Sequence, residues 1–270
     1  MRILSKGEYF GKKKLELSFN GIVLSEYSYH EPKTVWHYHE NPYFMYVLHG
    51  NMYDFNKKQK TACPSGSILY NNWQETHYNS KESELGRGFH LEFERDWFEQ
   101  KKIDVSLWEG SKLLENPKIH HIFGKIYYEF ITQDHYSKAS IELLLLQLCE
   151  TIGNSEEKTT LNIPNWIEPL KELLHYSTEN IDLDYLSKQL NIHPVHLSRS
   201  IPKYLSCSLG EYIRQQKIKQ SLNYLIDSEY SLTEITYLCG FSDQSHFTRL
   251  FKQYFKNTPS AYRKYLKKSQ

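Results

Sequence analysis

The hydrophobic pattern of this chain changes period once. Between residues 15 and 95, apolar residues fall in short alternating or aromatic runs such as 44–48 (FMYVL) and 67–70 (SILY). Gly50, Pro64 and Gly66 break these runs, so the stretch predicts β-strands joined by turns. From about Asn116 the period is helical. Ile119, Ile122, Phe123, Ile126 and Phe130 share one stripe, and Ile141, Leu144, Leu145, Leu148 and Ile152 share another, which predicts a helical hairpin. The polar, Pro-terminated segment GNSEEKTTLNIP at 153–164 predicts a domain boundary. Beyond it the pattern predicts helices over roughly 166–177, 182–190, 194–205, 208–227, 231–239, 243–256 and 259–267. Ser208 before Glu211, Ser231 before Glu234, and Pro259 after Thr258 supply start signals for three of them.

A single unit occurs twice within this helical region. LDYLSKQLNIHPVHLSRSIPKY at 183–204 parallels LTEITYLCGFSDQSHFTRLFKQY at 232–254. In each copy an apolar stripe (Leu183, Leu186, Leu190; Leu232, Ile235, Cys239) marks a short first helix, followed by a turn and a second helix. That layout is a helix–turn–helix, which lays its second helix in a DNA major groove. Helical geometry turns Leu197, Ile201 and Tyr204 inward in the first copy, and Phe247, Phe251 and Tyr254 in the second. Val195, Ser198, Arg199 and Lys203 then face out, as do Gln244, Ser245, Arg249 and Lys252; these eight are the expected DNA-contacting residues. An outward Arg can make a bidentate contact to guanine O6 and N7. A lone exposed Arg is ordinarily solvated or ion-paired; its recurrence at equivalent positions of two helices favours DNA. Lys217, Lys219, Arg263 and Lys264 are candidate phosphate neutralisers, and His196 and His246 edge the packed face.

The span from about 166 to 267 resembles the DNA-binding domain of the AraC/XylS transcription regulators. LTEITYLCGFSDQSHFTRLFKQYFKNTPSAYR carries the resemblance most fully, through Gly240-Phe241, Phe247, Phe251, Thr258-Pro259 and Tyr262-Arg263. The resemblance implies two helix–turn–helix units joined by a long helix, entering successive major-groove faces about 34 Å apart. Two departures stand in the first copy. Pro202 lies inside its second helix, where it removes a backbone N–H and is expected to bend or shorten it, and Leu205-Ser206-Cys207 replaces the Gly common after that helix.

Charge fits this reading. The chain as a whole is formally +1, but residues 1–162 hold 19 Lys+Arg against 22 Asp+Glu, whereas from Arg199 onward the count is 12 against 5. Basic charge gathers where an anionic duplex would bind. The four cysteines lie apart, without metal or disulfide spacing. No signal-peptide core opens the sequence, and the longest apolar run, 143–146, is too short for a bilayer. A cytoplasmic protein without a membrane partner is expected.

The first third raises a second question. In HYHENPYFMYVLHG, His37 and His39 are two residues apart and share one face of a strand. CPSGSILYNNWQETH then leads from a Pro-x-Gly turn to His77. The two segments resemble the paired cupin motifs, and AraC-type sensory domains resemble small cupin-like barrels. In metal-binding cupins a Glu stands where this chain has Tyr43, and the third His stands where it has Leu69. No cofactor is therefore expected, and a metal at His37, His39 and His77 is disfavoured. A ligand site drawing on His37, His39, Tyr43 and His77 is expected instead, with Trp36, Tyr46, Tyr70 and Trp73 as candidate walls; histidines that merely solvate strand ends are the bland alternative. His30, His90, His120 and His121 are assigned structural or surface roles.

The expected fold is α+β: a cupin-like β-barrel at 1–95, a helical linker and dimerisation region at 96–152, an interdomain linker at 153–164, and an all-α tandem helix–turn–helix domain at 165–270. The expected function is sequence-specific transcription regulation by a homodimer on double-stranded DNA. It would respond to an unknown small-molecule effector, and contact RNA polymerase if it activates. The competing class is a metal-dependent cupin oxygenase or isomerase with a DNA-binding appendage; the two motif departures disfavour it, and no enzymatic activity is expected.

Overall fold

The computed structural model describes residues 1–104, 108–156, 164–176, 181–205, 207–226 and 229–268. Most of the expected interdomain linker therefore lies outside the described residues.

The N-terminal region is two facing sheets. The first orders its strands as β1 (Arg2–Leu4), β4 (His37–His39), β9 (His77–Lys81), β6 (Met52–Asn56) and β7 (Lys60–Cys63). The other runs β11 (Ser111–Leu113), β8 (Ile68–Asn71), β5 (Tyr43–His49), β10 (Gly86–Phe93), β3 (Ile22–Tyr29) and β2 (Lys12–Phe19). The six-stranded sheet is covered on both sides, which is why β10 is buried from end to end. Side chains alternate across a strand, so each central strand serves two cores. From β5, Tyr43, Met45 and Val47 pack between the sheets with Tyr9, Tyr27, Met52, Cys63 and Leu69. Phe44, Tyr46 and Leu48 point the other way, into a larger cluster of helices.

The helices of that cluster begin with α1 (Arg95–Lys101), α2 (Pro117–Thr132) and α3 (Ser137–Glu156). Asn116 caps α2 by accepting from the Lys118 amide, and Pro117 occupies the first turn, where its missing N–H costs nothing. The stripe read from the sequence is buried: Ile119, Ile122, Phe123, Ile126 and Phe130 all lie inside.

Seven helices follow among the described residues: α4 (Ile167–Tyr176), α5 (Leu183–Leu190), α6 (Pro194–Leu205), α7 (Leu209–Ile226), α8 (Leu232–Leu238), α9 (Gln244–Phe255) and α10 (Pro259–Lys268). Two packing units emerge. Leu170, Leu174, Leu186, Leu197, Ile201, Leu205 and Tyr212 form a separate core around α5 and α6. The unit of α8 and α9 has no core of its own: Ile235, Phe247, Phe251, Phe255, Tyr262 and Leu266 belong to the same cluster as Phe44, Phe89 and Phe123. Gly124 of α2 lets the α9 backbone approach closely, because a Cβ there would clash with the Tyr254 carbonyl oxygen. The two helix–turn–helix units thus differ in attachment. The second is fused to the β-sandwich through α2, a fact the repeat could not disclose.

Candidate nucleic-acid interface and ligand cavity

Each helix–turn–helix is built by local chemistry. Asp182 caps α5 and Asp243 caps α9, accepting from the amides of Tyr185 and His246. Ser231 and Glu234 close a reciprocal capping box on α8. Both tight turns use a left-handed residue to leave the first helix, Asn191 at φ 51° and Gly240 at φ 69°. Lys217 of α7 donates to the Gly240 carbonyl and clamps the second turn from behind.

The second helices present the faces the spacing predicts. Leu197, Ile201, Phe247, Phe251 and Tyr254 are buried, and Tyr204 is half-buried. Val195, Ser198, Arg199, Lys203, Gln244, Ser245, Arg249 and Lys252 are all exposed. Among the described residues neither Arg199 nor Arg249 has an acidic partner within ion-pair distance. Gln244 is partly engaged, its Oε1 accepting from the Thr233 hydroxyl at 3.0 Å. Pro202 leaves α6 unbroken through Leu205, against the expectation that it shortens the helix. The carbonyl it leaves unpaired is that of Ser198, on the exposed side.

Three of the four expected phosphate neutralisers are differently placed. Lys217 is held by Gly240, and Arg263 donates through Nε to the Leu225 carbonyl at 3.0 Å. Lys219 lies against Gly66 of the sandwich, where burial lowers its pKa to about 8. Lys264 alone is freely exposed. Position along α7 and α10 could not separate these cases, because contacts distant in sequence, to the second turn, to α7 and to the sandwich, decide which cations remain free. His246 sits half-buried against Phe241, and His196 is exposed.

Between the sheets lies a cavity of about 50 Å³, lined by His37, His39, Tyr43, His90, Tyr9, Phe10, Tyr29, His30, Met45 and Met52 among others. It holds three of the four expected ligand residues. His77 is not in its lining, but it stands beside it. The reason is register: His37 and His77 are directly opposed on antiparallel β4 and β9, which brings side chains of one face within contact. Their ring centroids are 4.3 Å apart, and His39, two residues along β4, is 5.3 Å from His37 and 5.6 Å from His77.

The wall residues are corrected. Tyr46 and Tyr70 belong to the helix-facing core, being on the opposite pleat from Tyr43. Trp36 and Trp73 lie outside, at 41% and 36% exposure, with Arg95 stacked on Trp73. Tyr9, Phe10 and Tyr29 take their places. His90 and His30, assigned structural or surface roles, line the cavity. The period-two pattern of β10 contained the signal for His90, since Phe89 and Leu91 on either side point to the helices.

The imidazoles here are kept neutral by burial. It pushes His37 and His90 down to about 3 and His77 to about 4, and holds His39 well below the ordinary value. Asp54, buried beside His77, is pushed up to about 7 by the same cause. One hydrogen-bond chain is self-consistent: Asn71 donates to the Tyr43 hydroxyl at 2.9 Å, Tyr43 donates to His77 Nε2 at 3.1 Å, and His77 Nδ1–H donates to the Glu75 carbonyl at 2.8 Å.

Two helix–turn–helix units on one connecting helix, each presenting an exposed arginine, define a tandem helix–turn–helix DNA-binding protein. Comparison with known proteins agrees. A family model described as a helix-turn-helix domain matches residues 186–265. The chain is 30% identical over 107 residues to "Probable transcription factor PqrA" of Proteus vulgaris, covering 40% of this chain and 84% of that protein. It is 29% identical over 132 residues to the "HTH-type transcriptional activator RhaS" of Escherichia coli, covering 46% of this chain and 45% of RhaS. The match to the Msm operon regulatory protein of Streptococcus mutans likewise spans under half of that relative, at 44%. The apo ToxT structure from Vibrio cholerae aligns over 92% of this chain and 98% of its own, but at 13% identity and a TM-score of 0.41 the likeness carries no argument. The chain belongs to the AraC/XylS family of transcription regulators.

Proposed function

We propose that this regulator reads a bipartite DNA site with α6 and α9, and that a small effector held in the sandwich cavity adjusts how the second reading head is carried. The observation that carries the reading is the pair of exposed arginines, Arg199 and Arg249, at equivalent positions of two separate units and free of acidic partners among the described residues. A bidentate arginine–guanine contact supplies about 1–3 kcal/mol of base discrimination, and Val195, Ser198, Lys203, Gln244, Ser245 and Lys252 would add neighbouring contacts.

The route from effector to DNA is supported by the pleat. Strands β3 and β10 turn Tyr29 and His90 toward the cavity. Their opposite faces carry Glu26, Arg87 and Phe89 to the helices, where Tyr127 of α2 and Tyr265 of α10 each donate to Glu26 at 3.0 Å. A ligand that prefers one packing of these strands would bias the docking of α8–α10, the differential interaction that switching requires. The cavity is far smaller than the usual 300–1,000 Å³ of a ligand site, so the effector is small or opens the sheets on entry.

Self-association would use the outer face of α3, where Leu143 and Leu146 stand 70% and 40% exposed. The protein would work in the cytoplasm as a homodimer, contacting RNA polymerase if it activates. The regulatory names of the relatives support a regulatory rather than an enzymatic role. Selection of bound duplexes from a random pool by the full-length protein tests the reading: two half-sites centred about 10–10.5 bp apart are expected. One undivided half-site, or no sequence enrichment, would reject it.

A further inference from the structure

We propose that His37, His39 and His77 form a binding site for a first-row transition-metal ion of the Zn²⁺ class. One potential ligand atom from each of the three, all buried, lies within 4.8 Å of the other two. The third imidazole comes from β9 by cross-strand pairing, not from the strand that follows the Pro-x-Gly turn.

The hydrogen bonding prepares the donors. His37 Nδ1 is 2.8 Å from the Val35 carbonyl, and His77 Nδ1 is 2.8 Å from the Glu75 carbonyl. A carbonyl only accepts, so each Nδ1 carries the proton and each Nε2 keeps its lone pair. Donating the far ring nitrogen to a backbone carbonyl is the arrangement that orients metal-ligating histidines.

A second observation points to a missing partner. His39 is 3% exposed, its Nδ1 is buried without a hydrogen bond, and no hydrogen bond to either ring nitrogen is found among the described residues. A buried polar group in that condition destabilises the fold unless something pairs with it. Asp54 places a carboxyl group nearby. It is fully buried, its Oδ1 is 4.0 Å from His77 Nε2, and its Oδ2 has no hydrogen-bond partner.

Donor chemistry selects the ion. Three neutral imidazoles suit Zn²⁺ and related ions, whereas Mg²⁺ and Ca²⁺ demand oxygen ligands. Tetrahedral binding at 2.0–2.1 Å would draw the nitrogens to about 3.4 Å apart, so the rings must close in by roughly 1 Å. Tyr43 would give up its hydrogen bond to His77 Nε2 in the process. Bound metal would join β4 to β9 and stabilise the folded state.

The test uses the full-length chain, stripped with a chelator and titrated with Zn²⁺ against a chromophoric competitor, then with Co²⁺ as a visible probe. One equivalent of tight uptake, the intense absorption of tetrahedral Co²⁺ and a raised Tm are expected. His39→Gln should weaken uptake more than about 100-fold, beyond the 10–100-fold loss of an outer partner. Tyr43→Phe, which removes only the competing hydroxyl, should bind at least as tightly. Uptake well under one equivalent by the wild-type chain, or uptake unchanged in a folded His39→Gln, would overturn the site. If His39→Gln does not fold by circular dichroism, His77→Gln, whose amide can still accept from Tyr43, takes its place under the same criterion. A pale octahedral Co²⁺ spectrum would also overturn it, by assigning uptake to exposed histidines.

Discussion

The contact between the sandwich and the last helix can be tested at one buried ion pair. Arg87 and Glu26 are 1% and 0% exposed in their side chains and bonded directly to each other. Glu26 also accepts from Tyr127 and Tyr265, and Arg87 donates to the Leu266 carbonyl at 2.6 Å. Arg87→Met keeps much of the volume but strands a buried carboxylate, a change that costs about 3–5 kcal/mol. The loss of the Leu266 bond falls within that figure. Because roughly 1 kcal/mol shifts Tm by about 2–4 °C in chains of 150–250 residues, the melting temperature should fall by about 6–20 °C. Arg87→Met combined with Glu26→Gln removes both charges while leaving an acceptor for the tyrosines, and should recover more than half of the loss. Urea unfolding followed by circular dichroism and tryptophan fluorescence measures all three variants. A cost below about 1 kcal/mol for Arg87→Met, or a double variant no better than the single one, would show that the pair does not hold α10 to the sandwich.

Arg249→Ala should weaken binding to the selected DNA site by about 5–150-fold, the equivalent of 1–3 kcal/mol, and relax preference at one base pair; Arg199→Ala should do the same in the other half-site. Competition binding against single-base variants checks both, and unchanged preference at every position would refute the assignment. Gly124→Ala sets a methyl 2.1 Å from the Tyr254 carbonyl oxygen, so stability should drop by about 1–3 kcal/mol through overpacking, with a lower urea midpoint as the readout. For pH, His90 is depressed to about 3 by burial. Its contribution is complete above the unfolded value near 6.5 and is lost as pH falls toward 3. Between pH 6.5 and 5, His90→Phe should therefore lose about 2 kcal/mol less stability than the wild type, at about 1.36 kcal/mol per pH unit. Parallel urea midpoints for the two proteins would contradict this.

The helical third was legible almost residue by residue. Among the described residues its seven helices begin and end within a residue or so of where periodicity and cap residues put them, the expected ends at 177 and 227 lying outside those residues. The reason is that helix boundaries, apolar stripes and outward positions are set by neighbours three and four residues away. The β-rich third was legible as strands and turns, and its site in part, through His37, His39, Tyr43 and His77. His37 and His39 were visible as a pair because they lie on one strand. Tyr9, Tyr29 and His90 reach the same cavity from three distant segments, Tyr29 and His90 through the pairing of β3 with β10.

The sequence alone determined what repeats locally: two reading units, their buried stripes, and the arginines facing away from those stripes. Tertiary structure decided what depends on long-range register and docking. It placed His77 against His37, sent Tyr46 and Tyr70 into the helix-facing core rather than into the cavity, engaged Lys217, Lys219 and Arg263 in contacts within the protein, and merged the second reading unit with the sandwich. A one-residue change of pleat reverses which face a side chain joins, and nothing in the local spacing of a strand says which partner it will meet.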